Sequence, residues 1–328
     1  MTAAPEPVPG QATGRAETPA RMRLRTALAA GLVLAGALFP VLGAVVMVRW
    51  ALADIPHVGY DPDGASPARI AVLWGVQAAS LLAEICVVIV VIVGCLRQRR
   101  LTVLGMLLIA YTSAFWMAPI LNYTYWGVHI SRSTLYTTAW GPYVPGWHGG
   151  PPERQVEAVF LNSWLGYVAG VLWLLGMIAA VKLLVLRRRP RMRGWRLFLA
   201  VTALALPVDV VLEAPVVPSG EYSNVSAIPQ LTLLSGHSYQ MPLYLMFLTG
   251  FCWSALPYLL WHQHEKSDRR TGILHTLAVL PRPWRTPAQT LAVVGYVNLS
   301  ILAWSAAVAF CATLGASHPL PELPAHLR

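Results

Sequence analysis

LFLAVTALALPVDVVLEAPVV, Leu197–Val217, is an apolar run long enough to cross a bilayer, and it carries two acids, Asp209 and Glu213. About 20 consecutive apolar residues span the hydrocarbon core as a helix. A carboxylate placed there costs about 2.5–3.5 kcal/mol on insertion scales. Two such groups in one span are a strong indication of a working site. Spacing i, i+4 puts them on one helix face. Counting from the cytoplasmic end near Leu197 at 1.5 Å per residue, Asp209 lies about 20 Å along the span and Glu213 about 26 Å, so both fall in its outer half. Pro207 and Pro215 flank them. They predict a kinked helix with backbone carbonyls freed.

Comparable runs recur at roughly 27–52, 69–96, 101–121, 158–186, 239–261 and 289–314. The chain is 56% hydrophobic and 12% charged, where a soluble domain is typically about 25% charged. The fold class is therefore all-α, a polytopic transmembrane helical bundle of about seven spans, multi-pass in a cell membrane. The first run is too long to be a secretory signal, and its exit does not resemble a cleavage site.

The net charge of +10 raises the question of nucleic acid, and its distribution answers it. Arg15, Arg21, Arg23 and Arg25 precede the first span. Arg97, Arg99 and Arg100 follow the second. Arg187, Arg188, Arg189, Arg191, Arg193 and Arg196 separate the fourth and fifth, and Lys266, Arg269, Arg270, Arg282 and Arg285 the sixth and seventh. These are 18 of the 24 basic residues, all on one side of a seven-span threading. The other connections carry Asp54, Asp61, Asp63, Glu153, Glu157 and Glu221 instead. The positive-inside rule then places the N-terminus in the cytoplasm and the C-terminus outside. The basic charge is a topology signal, not a nucleic-acid surface. No feature of the sequence sets an oligomeric state.

Residues 1–20, rich in Pro, Ala, Glu and Thr, read as a disordered tail. Residues 21–315 form the transmembrane domain, and 316–328 a proline-rich outer tail. Cys86, Cys95, Cys252 and Cys311 all fall within spans without C-x-x-C spacing and read as core residues. His262, His264 and His275 lie on a polar connection and read as solvated, so no metal site is expected. The loop 122–157 holds seven aromatics between Tyr123 and Trp147, among Gly and Pro. An exposed linker is aromatic-poor, so this one reads as a lid on the bundle, beyond the Trp and Tyr of an ordinary interfacial belt.

Several polar groups reach the depth of the two acids. Asn122 ends span three, Asn162 opens span four, and His237, Tyr239 and Gln240 open span six. Glu84 lies deeper in span two, and Asn298 toward the inner end of span seven. A carboxyl pair away from water can divide the work of general acid–base catalysis: the protonated member donates to substrate and its ionised neighbour accepts. A nearby histidine can share the role. Aromatic faces suit a cationic intermediate. Span seven lacks the lysine of a retinal protein, and no P-loop, G-x-S-x-G, H-E-x-x-H or aspartate-rich prenyltransferase motif is present.

Two blocks resemble the AveC-like spirocyclase family, integral membrane proteins of actinobacteria. The first is Asn122 and Tyr123 with AWGPYVPGW (Ala139–Trp147). The second is D-x-x-x-E-x-P (Asp209, Glu213, Pro215), G-x-Y (Gly220, Tyr222) and GHSYQMPLY (Gly236–Tyr244). The resemblance implies spiroketal formation on a polyketide, as in avermectin- and meilingmycin-type macrolide biosynthesis, sometimes with dehydration. Spiroketal closure adds two hydroxyls to one ketone and expels water, which needs an acid, a base and a chiral pocket. Asp209 and Glu213 are then the expected acid and base, with His237 assisting and Glu84 the last candidate. Asn122, Asn162, Tyr239 and Gln240 would orient oxygens, and Tyr123, Trp126, Trp140 and Tyr244 would wall the pocket. No cofactor is called for, and a lipophilic macrolide can reach the site from the bilayer. The competing readings are a proton-coupled transporter or exporter of a lipophilic metabolite, which needs a path through Glu84 and Asn298, and a lipid-binding scaffold.

Overall fold

Among the described residues, six helices are long and apolar enough to cross a membrane, or seven passages if a bent pair counts as one. The computed structural model describes residues 18–54, 58–59, 65–150, 155–161, 163–265, 272–318 and 320. Most of the two predicted tails and several loop acids lie outside these residues. In chain order the helices are α1 (Pro19–Ala51), α2 (Pro67–Gln98), α3 (Val103–Thr112), α4 (Ala169–Ala180), α5 (Gly194–Ser219), α6 (Leu243–Thr249), α7 (Leu256–Glu265), α8 (Ile273–Thr276) and α9 (Arg282–Gly315). A 3-10 segment, Phe115–Asn122, continues α3 at a 47° bend. A π turn, Val181–Leu186, ends the α4 passage, and another, Gly250–Ala255, joins α6 to α7. By connectivity one end of the bundle gathers the arginine clusters, and the other carries the 122–157 segment. These are called the arginine end and the loop end.

Each apolar run contains a helix, with boundaries moved where other forces win. Ser66 accepts a hydrogen bond from the Arg69 amide at 3.3 Å and Pro67 stands in the first turn, so α2 starts two residues before its apolar run. Thr102 caps α3 in the same way, accepting from the Gly105 amide at 3.1 Å. The fourth run, expected from 158, becomes helical only at Leu165. Its first residue, Ala158, instead ends a short strand, Val156–Ala158. Apolarity alone does not separate a buried strand from a helix. α5 runs through Pro207, Pro215 and Pro218, as membrane helices do where neighbours satisfy the freed carbonyls.

The outward faces are apolar: Leu34, Val90, Val211 and Phe310 are more than half exposed. Contiguous apolar surface on this scale marks a membrane-facing protein. Inside, α1 and α9 cross with their backbones in contact. A Cβ on Gly36 would meet the Leu291 carbonyl, and one on Gly295 the Leu32 carbonyl. Small residues allow such close approach in bilayers. Asn298 of α9 donates to the Ala110 carbonyl at 3.1 Å and the Ser113 hydroxyl at 3.0 Å, clamping the bend after α3.

The loop end is a folded layer. β1 (Val128–Ile130), β2 (Tyr136–Thr138), β3 (Val156–Ala158), β4 (Tyr222–Asn224), β5 (Thr232–Leu233) and β6 (Met241–Pro242) form three two-stranded antiparallel sheets. β1 pairs with β4, Val128 opposite Asn224 and Ile130 opposite Tyr222, so the loop after α3 is tied to the loop after α5. β2 pairs with β3, Thr137 opposite Glu157. Trp140 is fully buried; its indole N–H donates to the Trp116 carbonyl at 2.8 Å, and its ring meets Trp50, Phe115 and Trp164 edge-on at 5.1–6.1 Å. Trp140 thus anchors this layer on the bundle.

Candidate active site

Under the loop layer lies a cavity of ≈ 210 Å³. Its walls come from the 3-10 segment after α3, from β1 and β4, from the start of the α4 passage, and from α5, α6 and α9. Among the described residues one carboxyl lines it, that of Glu213.

Glu213 is positioned from two directions. α5 carries it two turns before the helix end. There Gly220 adopts φ 88°, a left-handed cap that glycine takes without cost. The Arg69 guanidinium fills the space a Cβ would need, and its Nε donates to the Ser219 carbonyl at 2.8 Å. The chain reverses at Gly220, β4 begins at Tyr222, and the Tyr222 hydroxyl donates to Glu213. Burial, with the Glu213 carboxylate beside it, holds the Tyr222 phenol well above its ordinary pKa, so Tyr222 stays a donor. Asp209 is buried one turn earlier on α5 and does not line the cavity.

Two further acids surround the site from the loop layer. Glu221 is fully buried, accepts from the Gln77 amide of α2, and is pushed up to about 7 by burial. It fastens α2 to the turn that presents Tyr222. Glu157 of β3 accepts from the Ser163 hydroxyl, and burial pushes it up to about 8. Ser163 lines the cavity, together with Tyr167.

The remaining wall is aromatic. Trp173, Trp253 and Trp304 line it, and each ring is held in place. The Trp173 indole donates to Ser254, and that of Trp304 donates to Thr249 at 3.1 Å. Trp253 packs on Tyr167 at 5.2 Å and on Trp304 at 5.4 Å. Leu245, Thr249 and Trp253, spaced by four, all reach the cavity across the π turn. Fixed ring faces around a cavity with one carboxyl suit a positively charged intermediate.

The sequence candidates separate in space. Asn122 lines the cavity, but its amide is engaged: it donates to the Val128 carbonyl and accepts from the Gly127 and Val128 amides, each at 2.9 Å. It shapes β1. Gln240 is buried and exchanges hydrogen bonds with Asn224, whose side chain does reach the cavity. His237 is exposed and stacks on Tyr239 at 5.0 Å, away from the cavity. Trp126 packs on His129 at 5.0 Å, and the Tyr123 hydroxyl donates to the Pro145 carbonyl at 2.9 Å. Trp140 and Tyr244 also stand off the cavity wall. Glu84 is buried on α2 with neither carboxyl oxygen hydrogen-bonded among the described residues. Asn162 lies outside the described residues. Among the described residues no cluster of three or more His, Cys, Asp or Glu side chains could hold a metal ion.

Sequence reasoning missed Ser163, Asn224, Trp173, Trp253 and Trp304, and used Tyr222 only as part of a resemblance. The Gly220–Glu221–Tyr222 string directly after an acid-bearing helix was the available signal.

The family described as Spirocyclase AveC-like matches the chain over residues 98–325. That span includes every wall of the cavity. Comparisons with curated proteins and with solved structures give no match.

Proposed function

The chain belongs to the AveC-like spirocyclase family, and from that premise we propose that it closes a spiroketal on a polyketide inside the membrane. The observation that carries this reading is Glu213, held by Tyr222, at the wall of an aromatic cavity roofed by a folded loop layer.

The chemistry asks for little else. A first substrate hydroxyl adds to the ketone, forming one C–O bond and a hemiketal. The hemiketal hydroxyl takes a proton and leaves as water, giving an oxocarbenium ion. The second hydroxyl attacks that cation and loses its proton. Glu213 is the group placed to give and take protons at the reacting oxygens. Tyr222 orients its carboxyl. The faces of Trp173, Trp253 and Tyr167 stabilise the cation. The fixed walls choose which face of the cation the second hydroxyl reaches. The substrate reaches the cavity from the bilayer, with the N-terminus and arginine end on the cytoplasmic side.

The test uses purified protein in lipid nanodiscs with a δ,δ′-dihydroxy ketone as probe. The expected result is spiroketal formed faster than without protein, and a loss of at least about 100-fold in kcat for Glu213→Gln. Wild-type turnover by that variant would overturn the proposal.

A further inference from the structure

Glu157 has no place in the chemistry so far, yet its surroundings are those of a working group. It is only 5% exposed, on a strand that belongs to the loop layer. Burying a carboxyl costs free energy unless it is satisfied. Its hydrogen-bond donor is the Ser163 hydroxyl, and Ser163 lines the cavity. Both residues are held by main-chain structure. Glu157 sits opposite Thr137 in the β2–β3 pair. The Ser163 amide donates to the Leu161 carbonyl at 3.0 Å, and the next residue, Trp164, donates through its indole to the Thr137 hydroxyl at 2.9 Å. Glu213 reaches the cavity from α5, whereas Ser163 reaches it from the loop layer. Two proton-handling groups therefore stand on different walls of one cavity.

Resting on the cyclase reading above, we propose that Ser163, backed by Glu157, takes the proton of the attacking substrate hydroxyl while Glu213 protonates the departing oxygen. As the new C–O bond forms, the substrate O–H bond breaks and its proton passes to Ser163 Oγ. The Ser163 hydroxyl proton passes to Glu157 in its ionised form, whose share grows as pH rises toward about 8. On the other wall the C–O bond to the departing hydroxyl breaks, and that oxygen leaves as water with the proton from Glu213. Each closure leaves Glu157 with one proton more and Glu213 with one fewer. One proton returns between them per cycle, with the expelled water as carrier. Such separation serves the reaction better than two acids on one helix face. Acid and base must act on different oxygens of the same ketal carbon. Ser163 is here a catalytic residue, and Glu157 a positioning residue acting through it.

The experiment compares Ser163→Ala, Ser163→Thr, Glu157→Gln and Glu213→Gln in the full chain in nanodiscs. The probe is a substituted δ,δ′-dihydroxy ketone, so that kcat, KM and the ratio of spiroketal epimers are all read. Ser163→Ala and Glu157→Gln are expected to lower kcat by at least about 100-fold, the low end of the usual range for a lost general base. KM should stay within about two-fold, and the epimer ratio should drift toward that of uncatalysed closure. Ser163→Thr keeps the hydroxyl and restores most of kcat. A merely structural role moves neither the epimer ratio nor the contrast between Ala and Thr. If Ser163→Ala and Glu157→Gln keep wild-type kcat while Glu213→Gln is inactive, the relay is wrong and the cyclase reading stands. If Ser163→Thr is as slow as Ser163→Ala, the relay is likewise overturned. Should Glu157→Gln not fold, the Ser163 pair decides alone. Full turnover by Glu213→Gln would remove both the relay and the reading it rests on.

Discussion

Tyr222 donates its hydroxyl to Glu213 across the end of α5, so a residue of the loop layer grips an acid of a membrane helix. The grip depends on the reversal at Gly220 and on the β1–β4 pairing that holds Tyr222 from the other side.

Tyr222→Phe removes that hydrogen bond and little else. A hydrogen bond to a charged group contributes about 1.5–3 kcal/mol, so kcat is expected to fall by roughly 10-fold or more, with KM little changed. Initial rates on the dihydroxy ketone probe measure it, and an unaltered kcat would show that Glu213 needs no such support.

Asp209→Asn separates the two acids of α5. Only Glu213 lines the cavity, so the Asp209 variant is expected to keep more than about a tenth of wild-type kcat, well above the residual rate left when a general acid is removed. Equal inactivity of the Asp209 and Glu213 variants in the same assay would refute the assignment.

Gly220→Ala forces a side chain into a left-handed position already filled by the Arg69 guanidinium. The conformation alone costs about 1–2 kcal/mol. Thermal unfolding of the variant is expected several degrees below wild type, with less product per folded molecule because Tyr222 shifts. An unchanged Tm would count against the cap.

The buried Glu157 makes stability depend on pH. Its pKa rises from 4.5 to about 8 on folding. Between those values the unfolded chain has released the proton and the folded chain still holds it, so stability falls as pH rises. The loss is about 1.4 kcal/mol per pH unit from this one group. Glu221, pushed up to about 7, adds in the same direction. Tm measured from pH 5 to pH 8 should drop less steeply in Glu157→Gln than in wild type. Parallel curves for the two proteins would exclude an ionisation change at Glu157.

The spans are legible in the sequence because length and apolarity are local properties. The pair Asp209 and Glu213 is legible as an anomaly for the same reason. What the spacing does not contain is which of the two meets a cavity, because neighbours from α4, α6 and α9 build that cavity. Trp173, Trp253 and Trp304 come from three separate passages and share no motif. Ser163 is an unremarkable serine until the β2–β3 register brings Glu157 to it. His237 and Tyr239 point the other way. They sit beside span six in the sequence, but the β5–β6 pairing, Thr232 opposite Pro242, leaves them on the exposed side of the turn. Asn122 matches its expected depth, yet its amide is used up by the turn into β1.

The wide turn at Gly250–Ala255 has an evolutionary consequence. Four residues of ordinary α-helix overshoot a full turn by about 40°, so Leu245, Thr249 and Trp253 would drift steadily off one face. The wider π turn sets that phase back. A π turn is in effect one inserted residue. Deleting a single codon there would return the helix to plain α geometry and swing Trp253 away from the cavity, with little change in the length that crosses the bilayer. Loss or gain of one residue at this point is thus a coarse dial on cavity shape, available to a lineage before any wall residue is substituted.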